Sequence, residues 1–562
     1  MEPADCRRRT SLATMRSLQS IYSLFLAPVR LRPSLEIVRL TGMYTIPKRE
    51  YSQEFLHKCY QDHRALWESK KMPDDVNPKA VFGSNELDLR DIKVYGFDYD
   101  YTLANYEVAV ETLIYDLGKN VLVSKYRYPE EIKSLQYNRD FAVRGLHYDI
   151  EKGLLMKMDQ FQKIQVGSIY RGLTCLSRED IHDIYGTRSL PLHYVEGHLR
   201  GSFGEDYADT SVEHLDKDKK TSLYMMARDE MNPLTTLHFH TKMAHLADLF
   251  SLPEMCLLSQ VAQYFHDHNL PYHSVPLFND VKAAIASIHP EMHRIVGRNI
   301  SEYLIKDPSL VTFFNRLKEH KKEIFIITNS PFYFVNAGMS YLLGDDWRDY
   351  FDVVVASAKK PAFFTDSMRP FRELNEEIHI QTWGPVTSLD KGKIYLEGNL
   401  RQLQQMKGWQ GPEVLYFGDH PYSDLADVSL NHSWRTGAII WELDYEIQCL
   451  NSEVYKKTSG WLMILQSLIE SSQDFEEEEA REIVRQWEKE RDELRTKTKD
   501  MFNRHFGSVF RTHDNPTYFS RRLFRFADIY TARLSNLNNY SINHTFYPRR
   551  GVLPHEYKSL FV

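Results

Sequence analysis

Between residues 310 and 443 the chain repeats one pattern, a short and almost wholly apolar run bounded by polar or helical sequence. EIFIITNS, FDVVVASA, EVLYFGDH and TGAIIWEL each read as a strand, and the amphipathic helix LVTFFNRLKEHKK precedes the first. A strand with no polar alternation has no face to offer water, so both of its faces must be covered. Strands of this kind that alternate with helical segments join through right-handed crossovers into a parallel sheet flanked by helices. The expected fold class is therefore α/β, with a doubly wound parallel sheet.

Ligands of such sheets bind beyond the carboxyl ends of the strands. The run DIKVYGFDYD, residues 91–100, reads as one more strand, and it ends with Asp98 and Asp100 on either side of a single residue. Carboxylates that close compete for protons, and at the end of a buried strand they call for a cation. Four strand ends, DYD, TNS, AKKP and GDHPYSD, then converge on one crevice. Asp98 and Asp100 offer oxygens suited to a hard cation, Thr328 and Asn329 neutral donors, Lys360 a positive charge, and Asp419 and Asp424 two further carboxylates. This set describes a site for a phosphate and Mg²⁺.

The chemistry expected of it is phosphoryl transfer in two steps. Asp98 attacks phosphorus and forms an aspartyl-phosphate. Asp100 protonates the leaving alkoxide, then activates the hydrolytic water, while its backbone carbonyl faces the metal. Lys360, Thr328 and Asn329 match the charge of the transferring group. The expected Mg²⁺ ligands are Asp98, Asp100 and Asp419, with Asp424 holding a metal-bound water or orienting Lys360.

Composition removes other classes. The 70 basic and 77 acidic residues give a net charge of −7, without the cationic excess that binding a nucleic-acid backbone demands. Five scattered cysteines without a CxxC pair argue against a disulfide framework and a structural zinc site, and fit a reducing compartment. Every apolar run falls short of the roughly 18–20 residues of a membrane-spanning helix. An intracellular, soluble protein is expected, cytoplasmic or mitochondrial: the Arg- and Ser-rich residues 1–33 read equally as a transit peptide and as a basic tail.

The ordered set DYDYTL, ITNS, KKP and GDHPYSD resembles the four motifs of the haloacid dehalogenase superfamily of phosphohydrolases. In detail it resembles the cytosolic purine 5'-nucleotidase family, and within it the 5'-nucleotidase domain-containing proteins. RGLHYDIEKGLLMKMD (144–159), YFDVVVASAKKPAFF, SWRTGAII and the segments from FGSVFR to LPHE carry the likeness further, so that it spans about residues 80–556. The resemblance implies a haloacid dehalogenase-like Rossmannoid core, a phosphate monoester as substrate, a nucleoside 5'-monophosphate above all, and homo-oligomers.

About 225 residues separate the first motif from the second, far more than the dozen or so of a βαβ crossover, so this interval builds a cap. The expected division is a tail to residue 33, an N-terminal segment and first core strand over 34–115, an inserted cap over 116–300 with a polar surface insertion at 197–233, the rest of the core over 301–450, and a helical C-terminal extension over 451–562. In the purine nucleotidases a helix reading RDAVDWVH lines the base pocket; the corresponding stretch here is KAAIASIH (282–289). Lys282 and His289 are thus pocket candidates, but both carboxylates have become Ala283 and Ala286, which removes the purine readout. This drift leaves a second reading, a catalytically weak or inactive relative that acts by binding a partner. LHFHTKMAHL and YFHDHNLPYH read as exposed, polar histidine-bearing segments, and 474–502 as an amphipathic helix whose buried face carries Ala480, Ile483, Val484 and Trp487.

Overall fold

A computed structural model describes residues 53–196 and 242–551. The basic tail, the polar insertion at 197–233, His238, His240 and the LPHE segment lie outside the described residues. The chain divides into two compact units, one of Asp75–Tyr455 with Asp492–Arg550, the other of Lys456–Arg491 with the sequence up to Asp74 and from Gly551.

The larger unit is built on a ten-stranded sheet: β1 (Phe82–Gly83), β2 (Val94–Phe97), β3 (Glu323–Ile327), β4 (Val353–Ala356), β5 (Phe371–Asn375), β6 (Ile380–Gln381), β7 (Ile394–Glu397), β8 (Val414–Gly418), β9 (Arg435–Ile439) and β10 (Ile529–Thr531). Their order is β1-β10-β9-β8-β2-β3-β4-β7-β5-β6. The seven from β10 to β7 pair in parallel, and antiparallel strands close both edges. The fold is α/β with a large parallel sheet, as the apolar runs required.

Alternation along the strands splits the interior into two cores. Tyr95, Phe97, Ile324, Ile326, Leu415 and Phe417 pack on one face, and Val94, Phe325, Ile327, Val414 and Tyr416 on the other. Successive side chains of a strand point to opposite faces, so a run apolar at every position is what two covered faces need. The strand expected over DIKVYGFDYD is shorter than the run. It stops at Phe97, although the Asp98 amide still donates to Phe417 O at 2.8 Å, and both carboxylates project beyond the pairing.

Between β2 and β3 the chain makes its long excursion. The helices α1 (Val108–Ser124), α2 (Ser251–Asp267) and α3 (Ser274–Arg298) pack together there. An antiparallel five-stranded sheet accompanies them, in the order 174–175, 164–171, 154–158, 147–149, 243–245. His266, His268 and His273 are exposed as expected. His245 differs: both of its ring nitrogens are buried, and its ring lies 4.4 Å from that of His147. Its place on a strand of this sheet, paired with His147 itself, explains the burial.

In the smaller unit the helix Gln53–Glu68 packs on parts of Glu453–Ser472 and Glu478–Asp500. The amphipathic reading of 474–502 is met with Ala480, Ile483 and Trp487 buried; the helix begins at Glu478, so half of the acidic run precedes it. Tyr60 is the hub, edge-on to Trp461 at 5.2 Å and stacked on Trp487 at 5.9 Å. The Glu490 carboxylate accepts from Tyr60 OH and from Trp461 Nε1, both at 2.8 Å. Burial, helped by Glu490, pushes the Tyr60 phenol up to about 12, so it stays a donor.

Gly460 admits the Trp67 indole so closely that a Cβ there would lie 2.2 Å from the ring. Gly460→Ala gains about 1 kcal/mol of helix propensity but overpacks by roughly 1–3 kcal/mol. A net loss of about 1 kcal/mol, read by urea denaturation followed through tryptophan fluorescence, is the expected result.

Candidate active site

From β2 the chain moves outward through β3, β4 and β7, then returns to the other side of β2 for β8, β9 and β10. The order thus reverses between β2 and β8, and a crevice opens outside their carboxyl ends. Asp98 is the first residue after β2, Thr328 the first after β3, Asp419 the first after β8, and Lys360 the fourth after β4.

Lys360 sits at the centre and is buried. Its Nζ lies 2.7 Å from Asp98 Oδ1 and 2.6 Å from Asp424 Oδ1. Carboxylate oxygens of Asp98, Asp419 and Asp424, all buried, come within 4.8 Å of one another. Burial raises the Asp98 pKa to about 7; Lys360 pulls it down, and Asp424 and Asp100 push it further up. Burial likewise raises Asp419 well above the usual carboxylate range, against the pull of Arg144. For Lys360 burial disfavours the charge, but Asp424 and Asp98 outweigh it and hold the ammonium well above an ordinary lysine.

The β8 loop is shaped to bring Asp424 back onto this centre. The His420 ring accepts from the amides of Tyr422 and Ser423 at 3.2 and 3.0 Å and caps the single wide turn Pro421–Ala426. That turn returns Asp424 over the strand end, where its Oδ2 accepts from His420 N at 3.2 Å. Only a glycine leaves room beneath it: a Cβ on Gly418 would lie 2.4 Å from Asp424 Cβ.

Asp100 is held apart from the other carboxylates. Its Oδ1 accepts from Tyr106 OH at 2.5 Å and its Oδ2 from Ser330 Oγ at 2.6 Å. The chain reverses immediately after it, through Tyr101 at φ 51°, while Tyr99 O accepts from the amides of Leu103 and Ala104. Trp441 Nε1 donates to Tyr101 O at 2.8 Å and pins the reversal to the end of β9.

The neighbouring motifs interlock. Asn329 Oδ1 accepts from Lys360 N at 2.6 Å, and its Nδ2 donates to Lys360 O at 3.0 Å. Thr328 is fully buried and its Oγ1 accepts from Ser330 N at 3.0 Å. Asp98, Asp419, Asp424 and Lys360 are thus in one cluster, with Asn329, Thr328 and Asp100 around it.

The two pocket candidates lie on α3. Lys282 is exposed, with Nζ 5.5 Å from the Phe278 ring. His289 is half-buried, 6.4 Å from the Phe250 ring, and burial lowers its pKa against the fields of Asp248 and Asp100. Asp100 is therefore near enough to His289 to act on it, whereas no described contact joins Lys282 to the carboxylate cluster. Ala283 and Ala286 are exposed.

Sequence reasoning assigned no role to Tyr106, Ser330, Asp248, Arg144 or Glu442. Ser330 closes the ITNS motif, which shows its position but not its partner. Asp248 acts on Asp419, His420 and His289, and it accepts from Ser251 N at 2.8 Å. Arg144 reaches Asp419 from the excursion; it opens the family-like segment RGLHYDIEKGLLMKMD, which marks its position but not its partner.

A model of the 5' nucleotidase family matches residues 81–558, which include every strand and residue of this site. Human 5'-nucleotidase domain-containing protein 2 is 44% identical over 484 residues, 86% of this chain and 86% of its own length. The Rattus norvegicus protein of the same name is 44% identical over 503 residues, 88% of this chain and 84% of its own. A 5'-nucleotidase domain-containing protein of Dictyostelium discoideum is 36% identical over 507 residues, 88% of this chain and 78% of its own.

Gly418→Ala drives a methyl into Asp424 and displaces the carboxylate from Lys360. Divalent-cation affinity, read by calorimetry, is expected to fall about tenfold or more in a protein that still folds.

Proposed function

Because the chain belongs to the 5' nucleotidase family, we propose that it is a Mg²⁺-dependent phosphomonoesterase that hydrolyses a nucleoside 5'-monophosphate or a related small phosphate ester through an aspartyl-phosphate. The observation that carries this reading is the cluster itself: three carboxylates from two adjacent strand ends, two of them paired with one ammonium from a third. Oxygen donors with more negative charge than Lys360 offsets fit a hard cation. Asp98 and Asp419 are the side chains that would hold it, with the Asp100 carbonyl as a further ligand and Asp424, paired with Lys360 and within reach of both carboxylates, orienting that lysine or holding a metal-bound water. Bound there, Mg²⁺ would neutralise charge on the phosphoryl oxygens.

The chain's own groups perform the remaining steps. Asp98 attacks phosphorus with a carboxylate oxygen, and the P–O bond to the leaving alkoxide breaks. Lys360 balances the charge that gathers on the transferring group. Asp100, held by Tyr106 and Ser330 in one orientation, gives its proton to the alkoxide and takes one from the water that then cleaves the acyl-phosphate. Asn329 fixes the Lys360 backbone, which keeps the ammonium in place without substrate. The excursion between β2 and β3 serves as the cap that selects the ester, and on α3 Ala283 and Ala286 offer no carboxylate to a purine ring.

Phosphate release from nucleoside monophosphates and simple phosphate esters tests the reading directly. Release is expected to require Mg²⁺ and to fall at least about a thousandfold in Asp98→Asn. No release from any ester by a protein that binds Mg²⁺ would instead favour the partner-binding reading.

The raised pKa of Asp98 gives a second test. Below about pH 7 its proton competes with the cation, so Mg²⁺ affinity is expected to rise with pH through that value, and the raised pKa of Asp419 acts in the same direction. Titration calorimetry in buffers of different ionisation enthalpy would detect the proton released on binding; an affinity flat across about pH 5.5–8 would contradict it.

A further inference from the structure

Arg144 is the one charged group of the excursion in contact with a carboxylate of the cluster among the described residues. It lies three residues before the strand His147–Asp149, and its side chain is 0% exposed. One edge of the guanidinium forms a fork with Glu442, just past β9, through Nε to Oε1 at 2.8 Å and Nη2 to Oε2 at 2.5 Å. The other edge turns to Asp419: Nη1 donates to its backbone O at 3.1 Å and reaches its Oδ2 at 3.4 Å. The Phe519 ring covers the group, 5.2 Å from its central carbon.

Burying a guanidinium is costly, and replacing a whole buried ion pair by apolar side chains of similar volume is often neutral or stabilising. What an apolar residue could not do is hold two elements in a fixed relation. The fork with Glu442 fixes the plane of the guanidinium and offsets its charge. Its Nη1 therefore meets Asp419 as a donor in a set direction. Lys360 contacts Asp98 and Asp424, and Arg144 complements it on the third carboxylate.

We propose that Arg144 is a positioning residue that sets the Asp419 carboxylate for the divalent cation, so that cation affinity depends on the excursion as well as on the sheet. This rests on the reading of the Asp98–Asp419–Asp424 cluster as the Mg²⁺ site.

The test is Mg²⁺ binding to the full chain by titration calorimetry, for wild type, Arg144→Met and Arg144→Lys. Losing an outer partner of a metal-binding carboxylate typically costs about 10–100-fold in affinity, and Arg144→Met is expected to fall in that range. Arg144→Lys is expected to fall too, because one ammonium cannot reproduce both the fork and the bond to Asp419; should Arg144→Met fail to fold, this variant carries the test. Gly460→Ala serves as the control for stability alone, with a lowered melting temperature and wild-type affinity. Folded Arg144 variants that bind Mg²⁺ within twofold of wild type, or more tightly, would overturn the inference. A wild-type protein that binds no Mg²⁺ would overturn the reading of the cluster and the inference with it.

Discussion

The ammonium of Lys360, fixed between Asp98 and Asp424, makes the rest of the crevice tenable. Without it three buried carboxylates would face one another within 4.8 Å, and at least one would stay protonated at neutral pH. With it, charge and position are coupled: Asp98 and Asp424 come from the ends of neighbouring strands, and a group from a third holds both. Around this pairing the sheet supplies rigidity and the loops supply direction. Asn329 grips the lysine backbone, His420 caps the turn that returns Asp424, and Trp441 pins the reversal behind Asp100.

Five of the ten strands, β2, β3, β4, β8 and β9, were legible because their runs are almost wholly apolar, a pattern that two-sided burial imposes and solvent exposure forbids; the short or more polar edge strands carry no such pattern. Asp98, Thr328, Lys360, Asp419 and Asp424 were legible for a related reason. Each lies within a few residues of where an apolar run stops, so the strand end that carries it also places it.

Other parts of the site left no such trace. Arg144 and Asp248 come from the long excursion, and their relation to Asp419 depends on how that segment folds back rather than on any local pattern. Tyr106 sits only six residues beyond Asp100, yet its bond depends on the left-handed backbone at Tyr101, a conformation that a tyrosine does not advertise. His245 misled in the opposite direction. Its surroundings in sequence are polar, but pairing with the strand that carries His147 puts it inside.

The strand order has a consequence for the chain's synthesis. β2 is central, and its partner β8 begins about 320 residues after it ends. At roughly 5–20 residues per second, one edge of this wholly buried strand waits on the order of 15–60 seconds after its emergence for its neighbour to be made. An unpaired edge flanked by Val94, Tyr95 and Phe97 is a ready template for wrong pairing. Asp98 therefore sits at the end of a buried strand that stays open to mispairing while the rest of the chain is made.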